Sequence, residues 1–503
     1  MSVRELKDNR WLCWDEDIIA SKSNVTVKMQ KPVPKNLAVV CDGEWDGTRN
    51  SYATVINVDG KYKFYYRAAS DWFNLENGEL LSKGPTCFAM YESVDGINFK
   101  RPNIGKHEFN GKKNNNIFHI EYDKVGPIAM DNFSVYYDEN PDCDPKEKYK
   151  GLVLGPVEKW VDGVPAGGSA LHLYTSENGI DFVNSRVLDI PGTFDSFNIM
   201  FWDTNRGEYC VYYRDFHVKG DLTTSEGAGI GKGWNFRDIR LATSKDLIHF
   251  ELHGPILFNE GKSVDDLQFY TNQIMKYPRA NDMYIGMPTR YVDRVDDAEN
   301  YEEMPMYDMR SLIIKKRGRG GTALSDCALI TSRDAFHFNR WDEAFLTPGP
   351  EARGSWWYGD CYTCYGLAET ESEIEGAPNE LSFYMDENYT VSNVHFRRYT
   401  VRLDGFFSWY AGYTGGEVLT KPLTFDGKEM EINFETSALG NLQITICDED
   451  GTPLEGYTSG NMFGNSVDRK VRFKAPLDAL AGKTVRIKFA LRDCELYAFK
   501  FNK

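Results

Sequence analysis

The fold of this chain is decided by one short phrase that occurs four times: YESVDGINF at residues 91–99, YTSENGIDF at 174–182, ATSKDLIHF at 242–250 and ITSRDAFHF at 330–338. Each copy runs as an alternating strand into a turn at Ser-x-Asp or Ser-x-Asn and out again to a Phe, which is the pattern of a β-hairpin. The serines of successive copies are separated by 83, 68 and 88 residues. This spacing is too long for a solenoid repeat and fits a four-stranded propeller blade with long loops.

A second hairpin pattern precedes each copy of the phrase. It consists of a strand, a turn and a second strand rich in aromatic residues. A fifth hairpin of this kind is followed by VHFRRYTVRLDGFFS at residues 394–408, a degenerate copy of the phrase. The sequence therefore predicts an all-β fold with a five-bladed β-propeller. The five aromatic hairpins are YATVINVDGKYKFYYR (52–67), FSVYYDENPDCDPKEKYKGLVLGP (133–156), FNIMFWDTNRGEYCVYYR (197–214), TNQIMKYPRANDMYIGMPTR (271–290) and TCYGLAETESEIEGAPNELSFYMDEN (363–388).

The pattern changes near residue 409 to short alternating strands separated by turns such as Asp450-Gly451. This rhythm predicts a β-sandwich that follows the propeller. We therefore divide the chain into an N-terminal lead-in at residues 1–40, a propeller at 41–408 and a C-terminal β-sandwich at 409–503. Within the lead-in, residues 25–29 and 37–40 are the two candidates for a strand that closes the last blade.

Composition limits the partners of the protein. The chain has 58 basic and 75 acidic residues and a net charge of −17, which disfavours nucleic acid or an anionic membrane as a partner of the whole surface. No stretch is long and apolar enough to cross a membrane. The N-terminal sequence MSVRELKDNRWLCWDED contains no apolar segment of the kind found in export signals. We expect a cytoplasmic protein, and the sequence carries no signal for its oligomeric state.

The cysteines point to neither disulfides nor a metal. The ten cysteines are scattered, as buried thiols are in a large cytosolic chain. The one close pair, Cys361-x-x-Cys364, lacks the second pair that zinc sites need. We expect no metal and no cofactor.

The propeller topology predicts where chemistry takes place. In each blade, the residues just before the first strand and just after the second strand lie on one face, around a central funnel. An acidic residue precedes the first strand in every blade, and two carboxyl groups are what glycosidic bond cleavage requires. The candidates before the first strands are Trp45 and Asp46, Asp131, Asp195, Asp266 with Tyr270, and Asp360.

Three arginines follow the second strands of blades 1, 3 and 4, at Arg67, Arg214 and Arg290. A guanidinium group binds carboxylate, sulfate or phosphate through two parallel hydrogen bonds. One interpretation is that these arginines bind an anionic sugar. The other is that they pair with neighbouring aspartates and hold the ring of carboxylates in place.

Five blades, repeated aromatic-Ser-x-Asp-Gly hairpins and a C-terminal sandwich resemble the five-bladed β-propeller glycoside hydrolases, which include the invertase/fructanase and arabinanase/xylosidase families. The invertase signature Trp-Met-Asn-Asp-Pro-Asn-Gly is absent, so the resemblance is to the superfamily and not to either family. It implies Asp46 as nucleophile or base, Asp131 as the residue that orients substrate and tunes pKa values, and Asp195 as proton donor. The donor in these families is usually Glu, which makes Glu387, at the end of the second strand of blade 5, a rival donor.

These observations predict a glycosidase that acts on an oligosaccharide or glycoside. The long segments 215–236 and 291–325 are expected to narrow the funnel to a pocket, which favours release of a terminal sugar. The expected substrate-binding residues are Arg67, Arg214, Arg290, Trp45, Tyr270, Asp266 and Asp360. Three alternatives stay open: a glycoside phosphorylase whose arginines bind phosphate, a sialidase-like enzyme with an Arg triad and a Tyr nucleophile, and a non-catalytic carbohydrate-binding propeller.

Overall fold

The structure is a computed structural model that describes residues 3–6, 10–74, 77, 79–120, 132–156, 160–161, 164–165, 169–231, 233, 235–259, 261–294, 299–317, 319–390 and 394–503. The predicted fold class is confirmed: the protein is all-β, with a five-bladed β-propeller followed by a C-terminal β-sandwich.

The first three blades are regular four-stranded antiparallel sheets. In each, the strands follow one another outward from the axis in chain order. Blade 1 contains Ser51–Val58, Lys61–Ala68, Cys87–Ser93 and Ile117–Ile120, blade 2 contains Phe133–Tyr137, Tyr149–Pro156, Ser169–Ser176 and Val183–Val187, and blade 3 contains Ile199–Asp203, Glu208–Val218, Asn235–Ser244 and Glu251–Pro255. Two small hairpins lie in loops, at Asp71–Phe73 with Leu80–Ser82 and at Trp160–Val161 with Val164–Pro165.

Blade 4 is split into two sheets. The split falls where Met287 and Pro288 interrupt the second strand, because proline has no N–H to donate to a sheet. The three-stranded part contains Gln268–Phe269, Thr289–Asp293 and Ala323–Cys327, and the five-stranded part contains Leu257–Phe258, Met275–Lys276, Tyr284–Gly286, Ile330–Ser332 and His337–Arg340. The predicted loop 291–325 also contains two helices, Tyr307–Arg317 and Arg319–Thr322.

Blade 5 closes the ring with a strand from the N-terminal segment. Its strands in the chain are Ala368–Thr370, Glu380–Glu387 and His395–Arg402, and the fourth strand is Val33–Val40, which pairs with His395–Arg402. Of the two candidates for this strand, residues 37–40 therefore lie in blade 5. Residues 26–29 belong to a different sheet.

The C-terminal sandwich includes the beginning of the chain. Its two longest strands, Glu429–Cys447 and Arg486–Asn502, pair with each other over most of their length. Trp11 from the N-terminal segment is buried in the same core as Trp409 and Phe489. The other strands of this sheet are Arg10–Leu12, Ile19–Ser23, Thr26–Met29, Phe407–Ala411, Gly416–Thr420, Pro453–Thr458 and Asn465–Val471, and Arg4–Glu5 pairs with Leu423–Thr424 beside it. Among the described residues, short 3-10 helices lie at Pro145–Glu147, Tyr301–Glu303 and Leu477–Leu480.

The repeated phrase forms the same hydrogen-bonded turn in blades 1 to 4. In blade 1, the Ser93 hydroxyl accepts a hydrogen bond from the N–H of Gly96, and the Asp95 carboxylate accepts hydrogen bonds from the N–H groups of Ile97 and Asn98. The fourth residue of each turn lies in the left-handed region, with φ values of 69° at Gly96, 75° at Gly179, 58° at Leu247 and 70° at Ala335. The Ser-x-Asp/Asn pattern is thus explained, because these side chains cap the turn.

Candidate active site

A cavity of about 750 Å³ lies beside blade 5 and contains two of the predicted site residues, Asp360 and Glu387. Its walls come from the chain around the closing strand, at Lys31 and Lys35, and from the loop 344–355 that precedes blade 5. Arg397 and Tyr399 of the third strand complete the lining.

The antiparallel pairing of blade 5 brings these carboxyl groups together. Asp360 precedes the first strand and Glu387 ends the second, and Thr363 forms a bridge with Met385 between them. The N–H of Tyr362 donates a hydrogen bond of 3.0 Å to Oδ1 of Asp386. The topological argument from the sequence therefore places Asp360 and Glu387 at the same end of blade 5.

Asp360 is a buried carboxyl group with an unusual pKa. Its Oδ2 accepts a hydrogen bond of 2.7 Å from the N–H of Trp357. Burial raises the pKa of Asp360 to about 7, although the Trp357 amide and the positive charge of Arg310 oppose this shift. Near neutral pH this group can therefore hold a proton.

Asp386 is a site residue that the sequence argument missed. Its side chain is 1% exposed and lines the cavity next to Asp360. Burial, with a smaller contribution from the nearby Asp360, raises the pKa of Asp386 well above its usual range. Within the described residues, Oδ2 of Asp386 has no hydrogen-bond partner. The sequence signal for Asp386 is the pair of acidic residues at the end of the second strand, of which only Glu387 is among the predicted site residues.

The pKa of Glu387 is shifted in the opposite direction to the pKa of Asp360. Its carboxylate accepts hydrogen bonds from Nε of Arg397 at 2.7 Å, from the Tyr399 hydroxyl at 3.2 Å and from Nε2 of His395 at 2.7 Å. Burial acts to raise its pKa, but the hydrogen bonds and charges of His395 and Arg397 outweigh burial and hold the pKa of Glu387 at about 2. This carboxylate is ionised at every physiological pH.

Arg310 connects the helix Tyr307–Arg317 to the segment that carries Asp360. Its side chain is fully buried and donates hydrogen bonds to the carbonyl oxygens of Gly321, at 2.9 Å, and Trp356, at 2.6 Å. The guanidinium group lies 4.4 Å from the centre of the Trp357 ring. Because Trp357 donates to Asp360, this contact ties the position of the acid to the blade-4 helix.

Asp195, Arg214 and Tyr270 form a contact between blades 3 and 4. Asp195 is 51% exposed and forms an ion pair of 3.2 Å with Nη1 of Arg214. Arg214 also donates to the carbonyl oxygens of Phe269 and Tyr270. Its guanidinium lies 5.0 Å from the centre of the Tyr270 ring.

Aromatic rings from four blades stack on one another next to this contact. Tyr270 of blade 4 stacks on Tyr362 of blade 5 with ring centres 5.5 Å apart. Tyr362 stacks on Tyr52 of blade 1, and Tyr52 stacks on Phe197 of blade 3, each at 5.8 Å. The stacked rings therefore connect blades 1, 3, 4 and 5.

Asp46 follows Trp45, which belongs to the core shared by blades 1 and 5. Its carboxylate accepts hydrogen bonds from the Tyr66 hydroxyl at 3.0 Å and from the N–H of Gly43 at 2.9 Å. Burial raises the pKa of Asp46 to about 7. Trp45 is buried beside it, with the guanidinium of Arg101 at 5.3 Å from its ring centre. Asp131, the predicted third carboxylate, lies outside the described residues.

The remaining predicted residues have partners inside the protein. Arg67 donates to the Arg49 carbonyl oxygen at 2.8 Å and to the Tyr389 hydroxyl at 3.1 Å. Arg290 forms a two-bond ion pair with Asp326. Asp266 is exposed and accepts from Nη2 of Arg340 at 3.3 Å.

Over the residues that the structure describes, no group of three or more His, Cys, Asp and Glu side chains is placed to bind a metal ion. In the same residues, no helix combines the length and the apolar character that crossing a membrane requires.

Comparisons with known proteins return likenesses of structure alone. No protein-family model matches this sequence, and no curated protein matches it. A β-1,2-mannobiose phosphorylase from Listeria innocua, solved with β-1,2-mannobiose, is 12% identical with a TM-score of 0.42, over 75% of this chain and 96% of that chain. An N-acetylgalactosamine deacetylase from F. plautii, solved with blood group B trisaccharide, is 11% identical with a TM-score of 0.40, over 74% of this chain and 95% of that chain. These identities and TM-scores assign neither a family nor an activity to this chain.

Proposed function

We propose that this protein is a glycoside hydrolase and that its active site is the cavity beside blade 5. The observation that carries the proposal is the opposite behaviour of two carboxyl groups in that cavity. Asp360 has a pKa of about 7 and Glu387 a pKa of about 2. A carboxyl group that keeps its proton near an ionised carboxylate is the pair that acid-assisted cleavage of a glycosidic bond uses.

In this proposal, Asp360 donates its proton to the oxygen of the leaving sugar. Glu387 stabilises the positive charge that develops on the sugar ring, or attacks the anomeric carbon. Its ion pair with Arg397 keeps the carboxylate ionised and makes it a weak base, which favours these roles over activation of water. In this proposal Asp360, expected from the sequence to bind substrate, is the proton donor, and Glu387, expected as a rival donor, is not.

The walls of the cavity favour a terminal sugar as substrate. The loop 344–355 and the closing strand enclose the carboxyl groups on two sides, as expected for a pocket that admits one end of a chain. Cationic side chains lie around the same cavity, at Lys31, Lys35, Arg353 and Arg397. Because Asp360 and Asp386 favour their uncharged forms, these cations give the cavity a positive balance, which fits an anionic sugar.

A screen of aryl glycosides and oligosaccharides, acidic ones included, tests the proposal. Asp360→Asn and Glu387→Gln are each expected to lower kcat by about a hundredfold or more, which is the usual contribution of an acid or base. Asp59→Asn is the matched control, because Asp59 is exposed in a turn with φ of 52°, a conformation that Asn adopts readily.

The same screen separates the alternatives. Full turnover in both Asp360→Asn and Glu387→Gln would contradict the proposed site. Loss of turnover only in Asp46→Asn or Asp195→Asn would move the chemistry to the funnel predicted from the sequence. Products that carry phosphate, formed only when phosphate is present, would identify a phosphorylase.

A further inference from the structure

We propose that a cleft in the C-terminal sandwich binds an anionic polysaccharide, through carboxylate or sulfate groups on its sugars. The cleft has a volume of about 470 Å³ and is separate from the cavity beside blade 5. The inference does not rest on the proposed hydrolase activity, because it concerns binding by a different part of the molecule.

The cleft lies along the strand Asn465–Val471 and the segment that precedes it in the chain. Asn465–Val471 pairs with the first part of Glu429–Cys447, and Pro453–Thr458 pairs with its last residues. The segment 459–464 crosses between the two partners and forms one side of the cleft. A Cβ placed on Gly460 would meet no atom within 4 Å, so the cleft is open at that point.

The charge of the cleft is opposite to that of the whole chain. Arg469, Lys470 and Arg472 line it, against a single carboxylate at Asp468. Lys470 pairs with Glu429 at 2.9 Å. Among the residues that the structure describes, no carboxylate forms an ion pair with Arg469 or Arg472. In a chain of net charge −17, two guanidinium groups in one open cleft form a local site for anions.

Other groups around the cleft match a sugar more closely than a simple anion. The lining includes the side chains of Asn461 and Ser466, which can hydrogen-bond to sugar hydroxyl groups. Phe463 is not part of the lining but follows the lining residue Met462 in the chain, and it is 70% exposed. An exposed aromatic ring offers a face on which the apolar side of a sugar packs, which a free phosphate or sulfate ion does not use. The guanidinium carbon of Arg469 lies 5.8 Å from the centre of the Phe434 ring, and this contact orients one of the two arginines.

Affinity electrophoresis of the full chain, in gels that contain polygalacturonate, dextran sulfate or neutral dextran, tests the inference. We expect the protein to be retarded by the two anionic polymers and not by dextran. The double variant Arg469→Gln and Arg472→Gln is expected to bind about tenfold or more weakly, as the loss of a charge-assisted hydrogen bond would produce. Lys61→Gln with Lys245→Gln is the matched control, since both lysines are exposed on the propeller and the change in net charge is the same.

Each outcome decides the question. Retardation that the Arg469/Arg472 variant loses and the Lys61/Lys245 variant keeps supports the site, and the polymer that binds more tightly identifies carboxylate or sulfate as the ligand group. Absence of retardation in the unmodified protein overturns the inference. So does equal retardation of all three proteins, or equally tight binding of duplex DNA, which would reveal attraction to any polyanion. An unchanged thermal unfolding midpoint shows that the variants are folded.

Discussion

At the scale of single residues, the candidate site depends on the different pKa values of two carboxyl groups, Asp360 and Glu387. Asp360 receives one hydrogen bond from a backbone amide and is otherwise buried, so desolvation dominates and favours its protonated form. Glu387 is also buried, but Arg397 and His395 contact it directly and favour its ionised form. The sequence shows that both residues are acidic, and only their surroundings separate their pKa values.

The raised pKa of Asp360 predicts how stability changes with pH. The folded protein binds the Asp360 proton more tightly than the unfolded chain does. The contribution of this group to stability is therefore complete below about pH 4, the unfolded pKa, and is lost as pH rises through the folded pKa of about 7. Asp360→Asn mimics the protonated form and should be more stable than the unmodified protein at pH 8, by on the order of 2–4 kcal/mol. Urea unfolding at pH 4 and pH 8 measures the difference, and an equal stability change at the two pH values would contradict the prediction.

Arg310 is expected to hold the pKa of Asp360 down. Arg310→Met removes a buried positive charge near Asp360, so the pKa of Asp360 should rise above its present value of about 7. Arg310→Lys keeps the charge and should leave the pKa near its original value, while both variants lose hydrogen bonds to Gly321 or Trp356 and are destabilised. Carboxyl-carbon NMR titration measures the pKa directly. A titration of Asp360 that is the same in the Met and Lys variants would contradict an electrostatic role.

At the scale of elements, the turn of the repeated phrase is the unit that builds the propeller. Its fourth residue is left-handed whether it is Gly, Leu or Ala. The Ser and Asp side chains therefore determine the turn, and glycine is favoured only where space is short. At Gly179 an added Cβ would lie 2.5 Å from the Tyr65 hydroxyl oxygen and 2.7 Å from a ring carbon of Tyr149.

Three Gly→Ala substitutions separate backbone strain from crowding. Gly60→Ala, with φ of 78° and no atom within 4 Å of the new Cβ, should cost only the strain of the left-handed backbone, about 1 kcal/mol. Gly96→Ala adds a close contact of 3.1 Å with Thr370 and should cost more. Gly179→Ala should cost the most, because two rings must move. Urea unfolding of the three variants gives the order, and equal losses would show that crowding has no effect.

At the scale of the whole molecule, the two ends of the chain form one body. The strands Arg10–Leu12, Ile19–Ser23 and Thr26–Met29 lie in the C-terminal sheet, and Val33–Val40 closes the propeller. The N-terminal segment also contacts blade 4, where the guanidinium of Arg333 lies 3.6 Å from the centre of a Trp11 ring. The division of the chain at residues 40 and 408 was drawn from local sequence pattern, which does not reveal such long-range pairing.

The sheet that contains strands from both ends of the chain predicts whether fragments of the protein fold. Residues 409–503 expressed alone should not fold cooperatively, because three strands and the buried Trp11 are missing from their core. Co-expression with residues 1–30 should restore a folded complex. Circular dichroism during heating, and co-purification of the two fragments, are the measurements. A sharp unfolding transition in the isolated fragment would show that the sandwich folds without the N-terminal strands.

The sequence by itself determined the all-β propeller and the meeting of Asp360 with Glu387 at one end of blade 5. Both follow from hairpins, which are local in the chain and repeat, so their pattern can be read residue by residue. Only the tertiary structure decided that Asp386 joins them and that Asp46 is hydrogen-bonded to Tyr66 and Gly43. It also decided that the pKa of Asp360 is raised and that the pKa of Glu387 is lowered. These properties depend on burial and on partners distant in the chain, such as Arg310 and Arg397, and no local pattern records which side chains exclude water from a carboxyl group.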